Sequence, residues 1–319
     1  MRGNVLKAIA AGLLAGAACF ALTTTFHIGA ADFGWSLRSA RDLLAGHDPY
    51  AYPPGPNAIP YPLPAAFVAL PLARMADSVA GAIFIGISVA LLAWGMLRSG
   101  ETWRMGMFFS WPFIYSVIFV QWSPLMCAMW FLPGIAPMLL AKPNIGLPML
   151  MASGIRFPSI SQWRWPALAG SLLLVASLAV YPSWPMVWLR QVSNYQGTLP
   201  PLLSLPLGPL ILLSLIRWRD YRAWFIISMA LMPQRMVYDQ LALMLVARNS
   251  KELFPLMVCS WGGFLILLFS PDMASMPGSW RLWIILAQYL PAVAVLLWPE
   301  RQRLWRAHRQ LQMESAGSR

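Results

Sequence analysis

The chain has 319 residues, of which 59% are hydrophobic and only 11% charged, with a mean hydropathy of +0.59. A soluble domain carries about 25% charged residues, so a water-soluble globule is excluded. The net charge of +12 does not argue for nucleic acid, because the arginines stand at the ends of apolar runs and not on one polar face; topology anchors and anionic-lipid contacts account for it.

The apolar runs recur at roughly 17 to 25 residues, the length that crosses a bilayer core, and they are continuous and not alternating, which excludes a β-barrel. The pattern predicts an all-α, polytopic helical membrane protein, one transmembrane domain over 1–319. The first run, 5–27, follows Arg2 and Lys7 and is too long for a signal-peptide core, so it reads as the first membrane helix. After it comes a polar, proline-rich loop, 28–76, with Asp32, Asp42, His47 and Asp48. Within it 62–76 is too short to span, and it is expected to dip into the outer leaflet. Further spans are expected at 77–97, 106–121, 125–141, 166–181, 201–216, 223–247, 253–270 and 280–298.

The positive-inside rule orients this list. Arg2 and Lys7 place the N-terminus in the cytoplasm and the 28–76 loop outside. Arg98 and Arg104 then fall inside, Gln121–Pro124 outside, and the stretch from Lys142 to Arg164 inside, with 143–157 a short interfacial or re-entrant helix. Arg217, Arg219 and Arg222 also fall inside. The 223–247 run is interrupted by Pro233-Gln234-Arg235. Split there into two short helices, it returns Arg248, Lys251 and the basic tail 299–319 to the cytoplasm, giving about ten membrane segments with both termini cytoplasmic. No internal repeat is evident. Cys19, Cys127 and Cys259 lie far apart inside apolar runs and read as packing residues, neither a disulfide nor a metal site.

Asp32 opens an amphipathic stretch in which Trp35, Leu37, Ala40, Leu43 and Leu44 alternate with Arg38, Arg41 and Asp42 at helical spacing, consistent with a helix lying on the outer surface and ending at Gly46. Asp32 reads equally as the N-cap of that helix or as a carboxylate held at the membrane boundary.

The order Asp32-Phe33, Ala40-Arg41, Leu44, Gly46-His47-Asp48-Pro49-Tyr50 and Tyr61-Pro62 resembles the first outer loop of polyprenyl-phosphate-sugar-dependent glycosyltransferases of the C-type (GT-C) superfamily. Within them it is closest to glycosyltransferase family 87, which includes bacterial mannosyltransferases. Gln121-Trp122-Ser123-Pro124-Leu125 is similar to that family's Gly-Gln-x-Asn/Ser-Pro-Leu segment, with Val120 in place of the glycine. Lys142-Pro143-Asn144 looks like its Lys-Pro turn, and Tyr238-Asp239 sits where it often carries a Tyr-Asp pair.

The resemblance implies an inverting transferase of the inner (plasma) membrane. It would move a hexose such as mannose from a polyprenyl-phosphate donor to a glycolipid or glycan acceptor at the outer face. Asp32 would be the catalytic base, and Asp48, Tyr50, Gln121, Tyr238 and Asp239 would be substrate-binding. The departing phosphate calls for a cation. Arg235 at the helix break is one candidate and is otherwise a partner of Asp239 or a snorkelling side chain. Arg38 and Arg41 are others, Arg41 equally able to pair with Asp42 or Asp48. Lys142 reads as a cytoplasmic topology marker, and Gln121 as a sugar contact or a helix-end cap. His47 reads as a loop histidine, and Trp184 and Trp188 as an interfacial belt. No metal is expected, since no DxD pair occurs, and no cofactor beyond the lipid-linked substrate. Its partners would be that donor, the acceptor and membrane lipids, with no nucleic acid. The competing reading is a transporter or lipid-linked-sugar flippase, which should depend on Arg235 and Asp239 but tolerate loss of Asp32.

Overall fold

The computed structural model describes residues 2–51, 61–194, 199–233, 236–269 and 279–298. They form helices throughout, and no strand occurs among the described residues. The frame is an antiparallel pair, α1 (Arg2–Thr25) and α4 (Asp77–Arg98). Small residues make it possible. A Cβ on Gly12 would stand 2.7 Å from the Ala90 Cβ, and one on Gly16 would stand 2.9 Å from the Ala82 carbonyl oxygen. Close backbone approach through small residues is how helices associate where water provides no drive. At one end of the pair, Asn4 Nδ2 donates to the Leu97 carbonyl at 3.3 Å; this is the lower end. At the other, Gly29 lies against Asp77; this is the upper end.

Between them run α2 (Phe33–Ala45), closed by Gly46 at φ +72, and α3 (Leu63–Ala69), which continues as a 3₁₀ turn over Leu70–Leu72. The α2 boundaries match the sequence expectation, because glycine alone takes the left-handed C-cap without strain. The short α3 is not a surface element: Leu63, Pro64, Ala65, Ala66 and Ala69 are buried.

Below α4, a 3₁₀ helix (Thr102–Phe109) and α5 (Trp111–Ile118) climb back to the upper end. The run expected as one span at 125–141 is instead a hairpin. α6 (Ser123–Ala128) descends until Phe131 packs on Gly95 and Trp130 lies under the Arg156 guanidinium, 5.2 Å from its ring centre. A proline-broken 3₁₀ segment (Pro133–Leu140) then climbs again, so Lys142 emerges at the upper end. α7 (Pro143–Arg156) descends from there to meet Glu101, and so it connects the two ends and is not the short interfacial or re-entrant helix expected. Its 14 residues cover about 21 Å.

The chain rises through α8 (Arg164–Val180), crosses the top in α9 (Trp184–Asn194), and descends through a 3₁₀ segment (Gly208–Arg217). α10 (Tyr221–Leu231) rises, and a 3₁₀ helix (Val237–Val246) descends beside it. The split expected near Pro233 is therefore present. Arg248 pairs with Asp220 at 2.7 Å, and Arg222 donates to the Val246 carbonyl at 2.8 Å, so the two arms share their lower end. α11 (Ser250–Phe269) and α12 (Ser279–Ile284, running on through the apolar stretch to Trp298) complete the bundle.

Among the described residues three helices are long and apolar enough to cross a membrane, Arg2–Thr25, Asp77–Arg98 and Ile160–Val180, with several shorter apolar helices beside them, which is compatible with a membrane protein. Cys19, Cys127 and Cys259 are free thiols, the first two buried.

Candidate functional site

The site lies at the upper end and is built on an aromatic anchor. Phe33 is fully buried, stacks on Phe84 with ring centres 4.0 Å apart, and meets Trp122 at 5.9 Å. That packing fixes the first turn of α2 over α4, and with it Asp32. The carboxylate does not cap the helix: Asp32 is itself in the helical region (φ −66, ψ −30), and its side chain makes no capping bond. Of the two readings of Asp32, the N-cap fails. The carboxylate turns inward, and its Oδ2 accepts from the Gln121 side-chain amide and from the Tyr238 hydroxyl, the latter at 3.0 Å.

Gln121 is a bridge. Its Oε1 accepts from the Lys142 ammonium at 3.1 Å. An ammonium can only donate, so the amide is oriented with its nitrogen toward Asp32. Lys142 also pairs with Asp239 Oδ1 at 3.2 Å, with side-chain exposures of 7% and 1%. Asp239 Oδ1 further accepts from Ser123 Oγ at 3.4 Å, and its Oδ2 from the Met236 N–H at 3.4 Å, which starts the descending 3₁₀ helix. Lys142 lies over the Tyr238 and Tyr61 rings at 5.0 and 5.9 Å, and Tyr115 stacks on Tyr238. Asp32–Gln121–Lys142–Asp239 is thus one connected chain of polar groups, with Tyr238 closing back onto Asp32.

The backbone is strained where this chain begins. Ala31 (φ +42) and Val120 (φ +48) occupy the left-handed region, and each immediately precedes a site residue, Asp32 and Gln121. Such conformations cost about 1–3 kcal/mol in residues with a Cβ, and they concentrate at sites where direction matters more than local comfort. Val120 is fully buried, its methyl groups against Gly81.

Four sequence segments singled out as motifs therefore meet: Asp32, Gln121–Ser123, Lys142 and Tyr238–Asp239. One expectation needs correction: Asp32 and Lys142 do not lie at opposite ends, because the hairpin over 123–140 returns Lys142 to the end that carries Asp32. Gln121 touches the end of α5, its side-chain amide donating to the Phe119 carbonyl at 3.3 Å, and it also links a carboxylate to an ammonium.

The other candidates lie apart. Arg41 pairs neither with Asp42 nor with Asp48. It ties down the turn after α3 through the Ala73 and Met75 carbonyls (2.8 and 2.9 Å) and Asp77 (2.7 Å). Arg38 is exposed, 5.0 Å over the Trp35 ring. Asp48 Oδ1 accepts from the Tyr50 N–H at 2.9 Å, and its Oδ2 lies 3.5 Å from the Tyr181 hydroxyl. Tyr50 is buried, stacks on Tyr181 and donates to the Tyr61 carbonyl at 3.1 Å; burial pushes its phenol well above the ordinary value, with Tyr181 and Asp48 adding to it. Asp48 and Tyr50 thus form a second polar group that joins the first through Tyr61. Trp184 is buried and packs inward instead of facing a membrane boundary. Arg235 lies outside the described residues.

A carboxylate oriented by two donors, inside an apolar bundle and beside a buried ammonium, can take a proton from a hydroxyl brought to its other oxygen. Compared with known proteins, the chain matches no family model, no curated protein and no solved structure.

Proposed function

We propose that this chain is an inverting glycosyltransferase that moves a hexose, mannose-like, from a polyprenyl-phosphate donor to a glycolipid or glycan acceptor at the outer membrane face. One observation carries the reading. The segments resembling the polyprenyl-phosphate-dependent GT-C family are up to 206 positions apart in sequence, yet their polar side chains meet around Asp32.

In this reading Asp32 takes the proton of the acceptor hydroxyl through Oδ1, the oxygen that neither Gln121 nor Tyr238 meets. The acceptor oxygen attacks the anomeric carbon as the bond from that carbon to the phosphate oxygen breaks, which inverts the configuration and releases polyprenyl phosphate. Gln121 and Tyr238 aim the carboxylate, and Lys142 and Asp239 aim Gln121. Arg235 and Arg38 are the cations assigned to the leaving phosphate, and Arg41, committed to its loop, is set aside.

Purified wild type and Asp32→Asn are incubated with radiolabelled polyprenyl-phosphate mannose and a membrane lipid extract. Loss of a general base costs about 10²- to 10⁴-fold. Transfer by wild type and none by a folded Asp32→Asn supports the assignment; equal transfer by both removes Asp32 from the mechanism.

The buried Lys142–Asp239 pair favours a second reading, a transporter or lipid-linked-sugar flippase, because ion pairs inside apolar bundles also mark translocation paths. Asp32 and Asp239 belong to one network, so loss of either side chain disturbs both functions. The discriminating readout is product: a transporter yields no new glycosidic bond.

A further inference from the structure

The lower end carries a feature for which glycosyl transfer has no use. Arg217, Trp218, Arg219, Asp220, Tyr221 and Arg248 line an open cavity of about 630 Å³, within the size range of small-ligand sites. Its one carboxylate is already engaged: Asp220 pairs with Arg222 at 2.8 Å and with Arg248 at 2.7 Å. Arg222 also faces Glu252 at 3.6 Å. Four arginines against two acids leave the cavity with excess positive charge, and Arg219, stacked 5.0 Å over the Trp218 ring, is held at its mouth. A second observation gives the ligand its other half. The segment leading into the cavity exposes Leu212, Leu213, Ile216 and Trp218, the last two by 62% and 57%. A row of arginines that only marks topology follows an apolar run but needs no cavity.

We propose that this cavity binds the phosphate group of an anionic lipid, with the acyl chains lying along Leu212, Leu213 and Ile216. Guanidinium groups match phosphate oxygens bidentately, and the Trp218 and Tyr221 rings suit the boundary between headgroup and chain. Basic pockets between apolar helices are a recurrent form of headgroup site. The site is at the opposite end of α10 from the Asp32 cluster and is independent of the transferase reading.

The test is native mass spectrometry of the full-length chain in detergent, titrated with phosphatidylglycerol, phosphatidylcholine or inorganic phosphate. Three proteins are compared: wild type, Arg217→Gln/Arg219→Gln, and Arg98→Gln/Lys251→Gln, which removes the same charge outside the cavity. Wild type should bind phosphatidylglycerol at least about tenfold more tightly than phosphatidylcholine. The cavity pair should weaken that binding about tenfold and the control pair less than about twofold. Equal weakening by both pairs would reduce the effect to surface charge and overturn the proposal. Displacement of the lipid by equimolar inorganic phosphate would overturn the lipid assignment in favour of a soluble phosphate. If the cavity pair fails to fold, the wild-type comparison decides, and equal affinity for the two lipids rejects the site.

Discussion

The two ends of the bundle hold their charges in opposite ways. At the lower end Glu101 and Asp220 are each gripped by two arginines, and arginines there are also fastened to backbone. Glu101 pairs with Arg104 and with Arg156 at 2.6 Å, and Arg104 and Arg222 each close a carbonyl, Leu245 and Val246, at the foot of the descending 3₁₀ helix. Burial raises the Glu101 carboxyl, but Arg104 and Arg156 outweigh it and hold the group below its ordinary value. The same balance, with Arg222 and Arg248 as the cations, lowers Asp220. At the upper end Asp32 and Asp239 share one described ammonium, Lys142, and the link between them is a neutral amide. Charge neutralised locally fastens helix ends. Charge spread along a relay of polar groups stays available to a hydroxyl that enters.

The comparison breaks first at Asp32. Asp32→Asn should abolish transfer while leaving thermal unfolding close to wild type; a large loss of stability would make the upper cluster structural like the lower one. Next is Lys142→Met, which leaves Asp239 buried and unpaired and should cost about 3–5 kcal/mol of stability. The double variant Lys142→Met/Asp239→Asn should regain most of it, and equal losses in single and double variants would mean the pair is not coupled.

Tyr238→Phe removes one of the donors to Asp32. A loss of about 1–2 kcal/mol is expected, read as about a tenfold fall in kcat with KM little changed. A rise in KM alone would make Tyr238 a substrate contact and not an orienting group. At the lower end the signature is pH. Because Glu101 and Asp220 are held below the ordinary carboxylate range of about 4, their contribution is complete above that range and is lost as pH falls through their depressed values. Unfolding temperature should drop on acidification from pH 6 to 3. Glu101→Gln should flatten that slope and, at neutral pH, cost about 1–2 kcal/mol.

The smallest effect belongs to Val120→Gly. It relieves about 1–3 kcal/mol of left-handed strain and forfeits a similar amount of side-chain burial, so stability should change by about 1 kcal/mol or less. Val117→Gly, buried in the regular α5 helix, has no strain to relieve and should be clearly destabilising. Equal losses at the two positions would show that Val120 is not strained.

Much of this protein is legible from residue order. Scarce charge determined an apolar protein, since so few charged residues cannot cover a water-soluble surface, and the continuous, non-alternating apolar runs determined that it is helical. Gly46 determined where α2 stops, because its backbone needs no Cβ clearance. Pro233 and the charges at Arg248 and Lys251 determined that 223–247 is two arms and not one. What only the tertiary structure decided is the path through 123–141. Hydropathy reads that run as one span, because a segment surrounded by protein is as apolar as one surrounded by lipid, and nothing in the count separates a crossing from a hairpin. Packing of Phe131 on Gly95 and Trp130 on Arg156 turns the chain at the lower end. That turn carries Lys142 back to Gln121 and gives Asp32 the partner that orients it, a relation between residues 32, 121 and 142 that no local pattern encodes.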